Sequence, residues 1–147
     1  MPRFAYVNGR YVPHARAAVH VEDRGYQFAD GVYEVVPIHC GRLIDEGSHL
    51  DRFDYSLRAL RIAWPMSRAA LKLVLRELIR RNGVADGIVY VQATRGVAPR
   101  DHKFPAHPRT ALVIATKRLK PPSASASSRS RACTRAGSTA AITPTAR

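Results

Sequence analysis

Two amphipathic helical segments set between short strand-like runs constrain this chain more than any other feature. From about His49 to Ile62, the residues Leu50, Phe53, Leu57 and Leu60 recur at helical spacing on one face. Trp64-Pro65 stops that run, because the residue before a proline is pushed out of the helical region. Ser67 then caps a second helix that runs to Asn82 and ends at Gly83. Its stripe is Leu71, Val74, Leu75 and Leu78, with Arg76, Arg80 and Arg81 on the solvated face. Strand patterns lie on both sides. Phe4 to Val12 alternates around Asn8-Gly9, a pair that tolerates the positive φ of a two-residue hairpin. Ala17 to Val21 reads as a short strand, and Val32 to Ile38 with Arg42 to Ile44 as a hairpin turning at Cys40-Gly41. Gly87 to Thr94 and Thr110 to Thr116 complete the set, the last apolar enough to be central. A helix with one apolar stripe must bury it, and these strands offer the surface. The expected fold class is therefore α+β, a mixed or antiparallel sheet with two helices packed on it.

This pattern ends near Leu119, well short of the 147 residues. The remainder, PPSASASSRSRACTRAGSTAAITPTAR, has no acid, no aromatic and one large aliphatic, Ile142. Such a stretch cannot bury enough surface to offset the entropy of ordering. The expected division is a folded domain over residues 1–118 and a Ser/Ala/Arg tail over 119–147, either disordered or the product of a shifted reading frame in GC-rich DNA.

The formal charge of +13 admits an anionic partner such as nucleic acid. Only four of the 24 basic residues are Lys, however, and this skew also follows from GC-rich coding, so charge alone does not specify one. No apolar run of spanning length occurs and the N-terminus lacks a signal-peptide core. Cys40 and Cys133 are far apart in unlike contexts, so neither a metal site nor a disulfide framework is expected. The expectation is a cytoplasmic protein with no membrane partner.

Three segments carry chemistry-bearing residues. Glu22 to Val36, EDRGYQFADGVYEVV, interleaves acids, rings and two glycines, Gly25 and Gly31, that are able to take unusual backbone angles. It reads as a pocket wall or, more plainly, as a turn and edge strand. Within it Tyr33 and Glu34 fall on opposite faces, and a Tyr hydroxyl facing a pocket could hold a substrate; a satisfied core Tyr is the alternative. Arg100 and His102, in TRGVAPRDHKFP, combine a guanidinium fork with a second donor in a proline-stiffened loop. They read as a trap for an anionic group or as an exposed basic loop. Arg52, in HLDRF at the start of the first long helix, either holds a phosphate or pairs at the surface with Asp51 or Asp54.

Taken together, EDRGYQFADGVYEVV, HLDRFDYSL and TRGVAPRDHKFP resemble the class IV pyridoxal-phosphate aminotransferases in order and spacing. The resemblance covers Phe4 to Lys117 and is closest to the D-amino-acid aminotransferase branch, because of the Arg-x-His loop. The branched-chain aminotransferase and aminodeoxychorismate lyase branches are the nearer alternatives, and a basic binding module is the alternative of another class. The resemblance implies the small N-terminal domain of a fold-type IV enzyme. It implies pyridoxal 5′-phosphate as cofactor, a homodimer, and amino transfer from a D-amino acid such as D-alanine to a 2-oxo acid such as 2-oxoglutarate. It assigns Arg52 to the cofactor phosphate, and Tyr33, Arg100 and His102 to the substrate carboxylate. The family also needs a Schiff-base Lys some forty to fifty residues after the Arg-x-His loop. No Lys follows Lys120 here, so a truncated or frameshifted chain without activity of its own is expected.

Overall fold

In the computed structural model, residues 3–119 are described; the tail expected over 119–147 lies outside them except for Leu119. Six strands form one antiparallel sheet: β1 (Phe4–Val7), β2 (Arg10–Pro13), β3 (Gly31–His39), β4 (Arg42–Leu43), β5 (Gly87–Thr94) and β6 (Ala111–Arg118), in the order β2-β1-β6-β5-β3-β4. Every pairing is antiparallel, so the "mixed" option falls away. β6 and β5 sit at the centre, as the apolar run of the last strand predicts.

Three α-helices accompany the sheet among the described residues: α1 (Arg24–Phe28), α2 (Glu46–Ala59) and α3 (Arg68–Asn82). The long pair covers one face. Leu50, Phe53 and Leu57 of α2 and Leu71, Leu75 and Leu78 of α3 are at most 2% exposed, and they meet Val36, Val89, Val91 and Ile114 from the sheet. Phe53 packs edge-on against Trp64, whose indole N–H is satisfied by Asp54 at 2.8 Å. Along β3 the alternation is strict. Val32, Glu34, Val36 and Ile38 turn toward the helices, and Tyr33, Pro37 and His39 turn away.

Two local expectations require correction, and one element was not expected. Ala17 to Val21 joins no strand; a 3-10 turn over His14–Arg16 precedes it and the chain crosses without a ladder partner. The first long helix spans Glu46–Ala59 rather than 49–62. It ends early because Arg61 takes a left-handed φ of 53°, and Leu60, the last residue of the expected stripe, is left 41% exposed. Finally, α1 is too short for any periodic signal. Asp23 builds it by capping the Gly25 N–H at 2.8 Å while accepting from the Thr94 hydroxyl at 3.0 Å.

Gly25 and Gly31 are required for close approach rather than for unusual angles, since neither is among the positive-φ residues. A Cβ on Gly25 would stand 2.2 Å from Thr94 Cγ2, and one on Gly31 would stand 2.8 Å from the Ala93 carbonyl oxygen. The segment is thereby pressed against the end of β5.

Candidate functional site

Arg52 lies in the second turn of α2, at the rim of the sheet. Its Nε and Nη2 donate to the two carboxylate oxygens of Glu34 at 2.5 and 2.8 Å, and His49 Nδ1 lies 2.9 Å from the second oxygen. Glu34 is 5% exposed and Arg52 is 65% exposed, so a buried acid holds a solvent-facing guanidinium by one edge. Neither Asp51 nor Asp54 takes Arg52; they pair with Arg68 and Arg58. Burial pushes the Glu34 carboxyl up, but the hydrogen bonds from Arg52 and His49 outweigh it and hold the acid below its ordinary range. The bond to Glu34 in turn raises Arg52. Arg52, His49, Ser48 and Asp45 line a shallow hollow of about 360 Å³.

Arg100 and His102 converge on a single ring. The Arg100 guanidinium lies 5.4 Å from the Phe28 centroid, and the His102 ring lies 5.5 Å from it. Arg24, from the first turn of α1, packs on the same ring at 4.8 Å. Its Nη1 donates to the carbonyl of Asp101 at 2.7 Å and to that of Lys103 at 3.3 Å. The two side chains are thus set by a loop whose backbone a buried arginine holds. Asp30 accepts from Arg24 Nε at 2.8 Å and from Arg95 Nε and Nη2 at 2.7 and 2.9 Å. Arg95 also donates to the carbonyls of Leu60 and Arg61, where α2 ends. Burial raises Asp30, yet the two arginines prevail and lower it.

Tyr33 lies on the helix-free face, 64% exposed, stacked on Tyr90 with centroids 5.6 Å apart and planes at 26°. Burial, then the neighbouring Tyr33, pushes the Tyr90 phenol up, and its hydroxyl bonds Gln92 at 3.0 Å.

Among the described residues no hydrogen bond or ring contact joins Arg52 or Tyr33 to Arg100 or His102. The structure pairs the last two and leaves the first two on opposite faces of β3. A larger hollow of about 620 Å³, bounded by Tyr6, Met66, His107 and Arg109, contains none of the four. Sequence reasoning missed Arg24, Asp30 and Arg95. The signal was available in the charge–ring alternation of EDRGYQFAD, where the acids turn out to cap a helix and neutralise arginines rather than surround the rings. No cluster of three metal-ligating side chains occurs among the described residues. None of the described helices is long and apolar enough to cross a membrane.

The sheet order with two helices on one face defines the small N-terminal domain of the fold-type IV aminotransferases. The profile of the family Amino-transferase class IV matches residues 31–145, and the chain belongs to that family. It is 40% identical over 100 residues to a D-alanine aminotransferase of Staphylococcus haemolyticus, covering 68% of this chain and 36% of that protein. It is 46% identical over 99 residues to a D-alanine aminotransferase of Bacillus licheniformis, covering 67% and 35%. Among solved structures, the branched-chain amino acid aminotransferase of Escherichia coli superposes with a TM-score of 0.75 at 20% identity, covering 81% of this chain and 40% of that one. The 4-amino-4-deoxychorismate lyase of Pseudomonas aeruginosa gives 0.64 at 25% identity, with 78% and 39% covered. The chain spans little more than a third of the curated relatives it matches.

Proposed function

We propose that this chain is the substrate-gripping portion of a D-amino-acid transaminase that moves the amino group of D-alanine to 2-oxoglutarate. The observation that carries the reading is the shared seat of Arg100 and His102 on Phe28, with the loop backbone clamped by Arg24. A preset guanidinium fork binds a carboxylate without first losing its own freedom. Similarity to D-alanine aminotransferases, at 40% and 46% identity, supports this branch over the branched-chain one.

The cofactor of this reading is pyridoxal 5′-phosphate, and the donor set fits its phosphate end. Arg52 spends Nε and Nη2 on Glu34, which leaves Nη1 for a ligand, and Ser48 lines the same hollow. The cofactor's ring system would act as electron sink. Arg52 would hold the phosphate, Tyr33 would present its hydroxyl to the substrate, and Arg100 with His102 would bind the carboxylate. A homodimer belongs to the same reading, in which the Arg100–His102 loop serves the partner's site.

The chemistry also needs a Schiff-base lysine. Among the described residues Lys72 is engaged with Glu46 at 3.5 Å and Lys103 and Lys117 are exposed, and in this sequence no Lys follows Lys120. Two measurements test the reading. The 147-residue chain with pyridoxal phosphate, D-alanine and 2-oxoglutarate should form no pyruvate at an enzyme-like rate. Residues 3–119 grafted in place of the matching part of the Bacillus licheniformis relative should yield a transaminase that prefers D-alanine to L-leucine. In that graft Arg100→Ala should raise the KM for both substrates about tenfold or more, the equivalent of one charge-assisted bond. A preference for L-leucine, or an unchanged KM, sinks the proposal.

A further inference from the structure

At the opposite end of β3 from Tyr33, its last residue His39, Cys40 in the following turn and Asp86 in the loop before β5 lie within hydrogen-bond reach of one another. The β3–β4 hairpin turns through Cys40 and Gly41, both left-handed at φ 50° and 71°. Its tip is pinned to the loop before β5, where the Gly41 N–H donates to the Ala85 carbonyl at 2.8 Å and the Cys40 N–H approaches Asp86 Oδ1 at 3.5 Å. Asp86 Oδ1 also lies 2.7 Å from His39 Nδ1, and His39 Nε2 lies 3.6 Å from Cys40 Sγ. His39 is 59% exposed, so solutes reach the cluster.

We propose that Cys40 is a base-assisted thiol that undergoes thiol–disulfide exchange with small disulfides of the glutathione-disulfide class. An ionised carboxylate only accepts, so Asp86 accepts a hydrogen bond from Nδ1–H, which fixes the tautomer and turns the Nε2 lone pair toward sulfur. Cys40 Sγ passes its proton to His39 Nε2. The thiolate attacks one sulfur of the disulfide; the Cys40–S–S–R bond forms as the R–S–S–R bond breaks. The departing R–S⁻ takes the proton from His39, and the protein is left as a mixed disulfide with no net change in electrons. The thiolate is the reactive form, and an ordinary thiol is only a few per cent ionised at pH 7, so an adjacent base has room to act. The relay contains none of Tyr33, Arg52, Arg100 and His102, and it stands whether or not the transaminase reading does.

The test uses the full chain with Cys133→Ser, leaving Cys40 as the single thiol. Its reaction with dithiobis-nitrobenzoate at pH 7 is followed by release of the coloured thiolate. Cys40 should react about tenfold faster than glutathione. His39→Gln should lose most of that advantage, and Asp86→Asn, which keeps an oxygen acceptor but not the charge, should lose part of it. Glutathione disulfide should leave one glutathionyl group on the peptide carrying Cys40, read by mass spectrometry. A rate no greater than that of glutathione overturns the proposal, as does an unchanged rate in His39→Gln. A faster His39→Gln protein also overturns it, because loosening the turn uncovers the sulfur, whereas losing a base slows it.

Discussion

Arg24 donates to the backbone carbonyl of Asp101, 77 positions away in sequence, at 2.7 Å. One buried side chain, 4% exposed, thereby ties the first turn of α1 to the loop that presents Arg100 and His102. Its other face is held by Asp30, which also takes Arg95, so the loop, the start of β3 and the end of α2 share one ionic cluster.

Arg24→Met should therefore release the loop. Breaking a buried ion pair from one side costs about 3–5 kcal/mol, and Arg95 stays on Asp30, so a loss near the lower end, about 3 kcal/mol, is expected in urea denaturation. Trypsin should cut after Arg100 and Lys103 faster in the variant than in the parent. Equal cleavage rates would show that the loop does not depend on this contact.

Glu34 and Asp30 set an acid limit. Both carboxyls are held below their ordinary range in the folded chain. The unfolded chain consequently binds their protons first as pH falls. Their contribution is complete above the unfolded carboxylate value of about 4 and drains away as pH drops through the lower folded values. The stability difference between parent and Glu34→Gln should be largest near pH 6 and shrink below about pH 4. A constant difference across that range would refute the assignment.

Arg52→Ala should cost stability, since it leaves the 5%-exposed Glu34 with His49 alone. The loss is smaller than for a pair buried on both sides, because the guanidinium itself is solvent-exposed. Thermal unfolding without any ligand checks this, and an unchanged midpoint would limit Arg52 to a surface role.

Asn82 offers a purely structural comparison. Its Oδ1 accepts from the N–H groups of Arg3 and Phe4, and its Nδ2 donates to the Phe4 carbonyl and the Thr116 hydroxyl, all at 2.9 Å. Asn82→Ala should destabilise by about 2–4 kcal/mol, because it strands buried partners of β1 and β6. Denaturant titration reads this directly, and a loss below about 1 kcal/mol would mean that water replaces the amide.

What the amino-acid sequence determined by itself was everything written in short-range periodicity and turn chemistry. The Asn8-Gly9 and Cys40-Gly41 turns, the Ser67 cap, the Gly83 stop and the apolar stripe of α3 all appear where local rules put them. So does the placement of Tyr33 and Glu34 on opposite faces of β3, since a strand alternates whatever surrounds it. The end of α2 was not legible, because it depends on the reversal at Arg61 and on carbonyls that Arg95 holds from a distant strand. Nor was α1, whose five residues form because Asp23 caps them and Thr94 secures the cap. The partner of Arg52 was equally hidden. Spacing offered Asp51 and Asp54, while packing α2 on the sheet delivered Glu34. Local patterns specify which face a residue occupies; only the closing of long-range contacts specifies which charge it meets, and here Arg24, Asp30 and Arg95 decide how Arg100 and His102 are held.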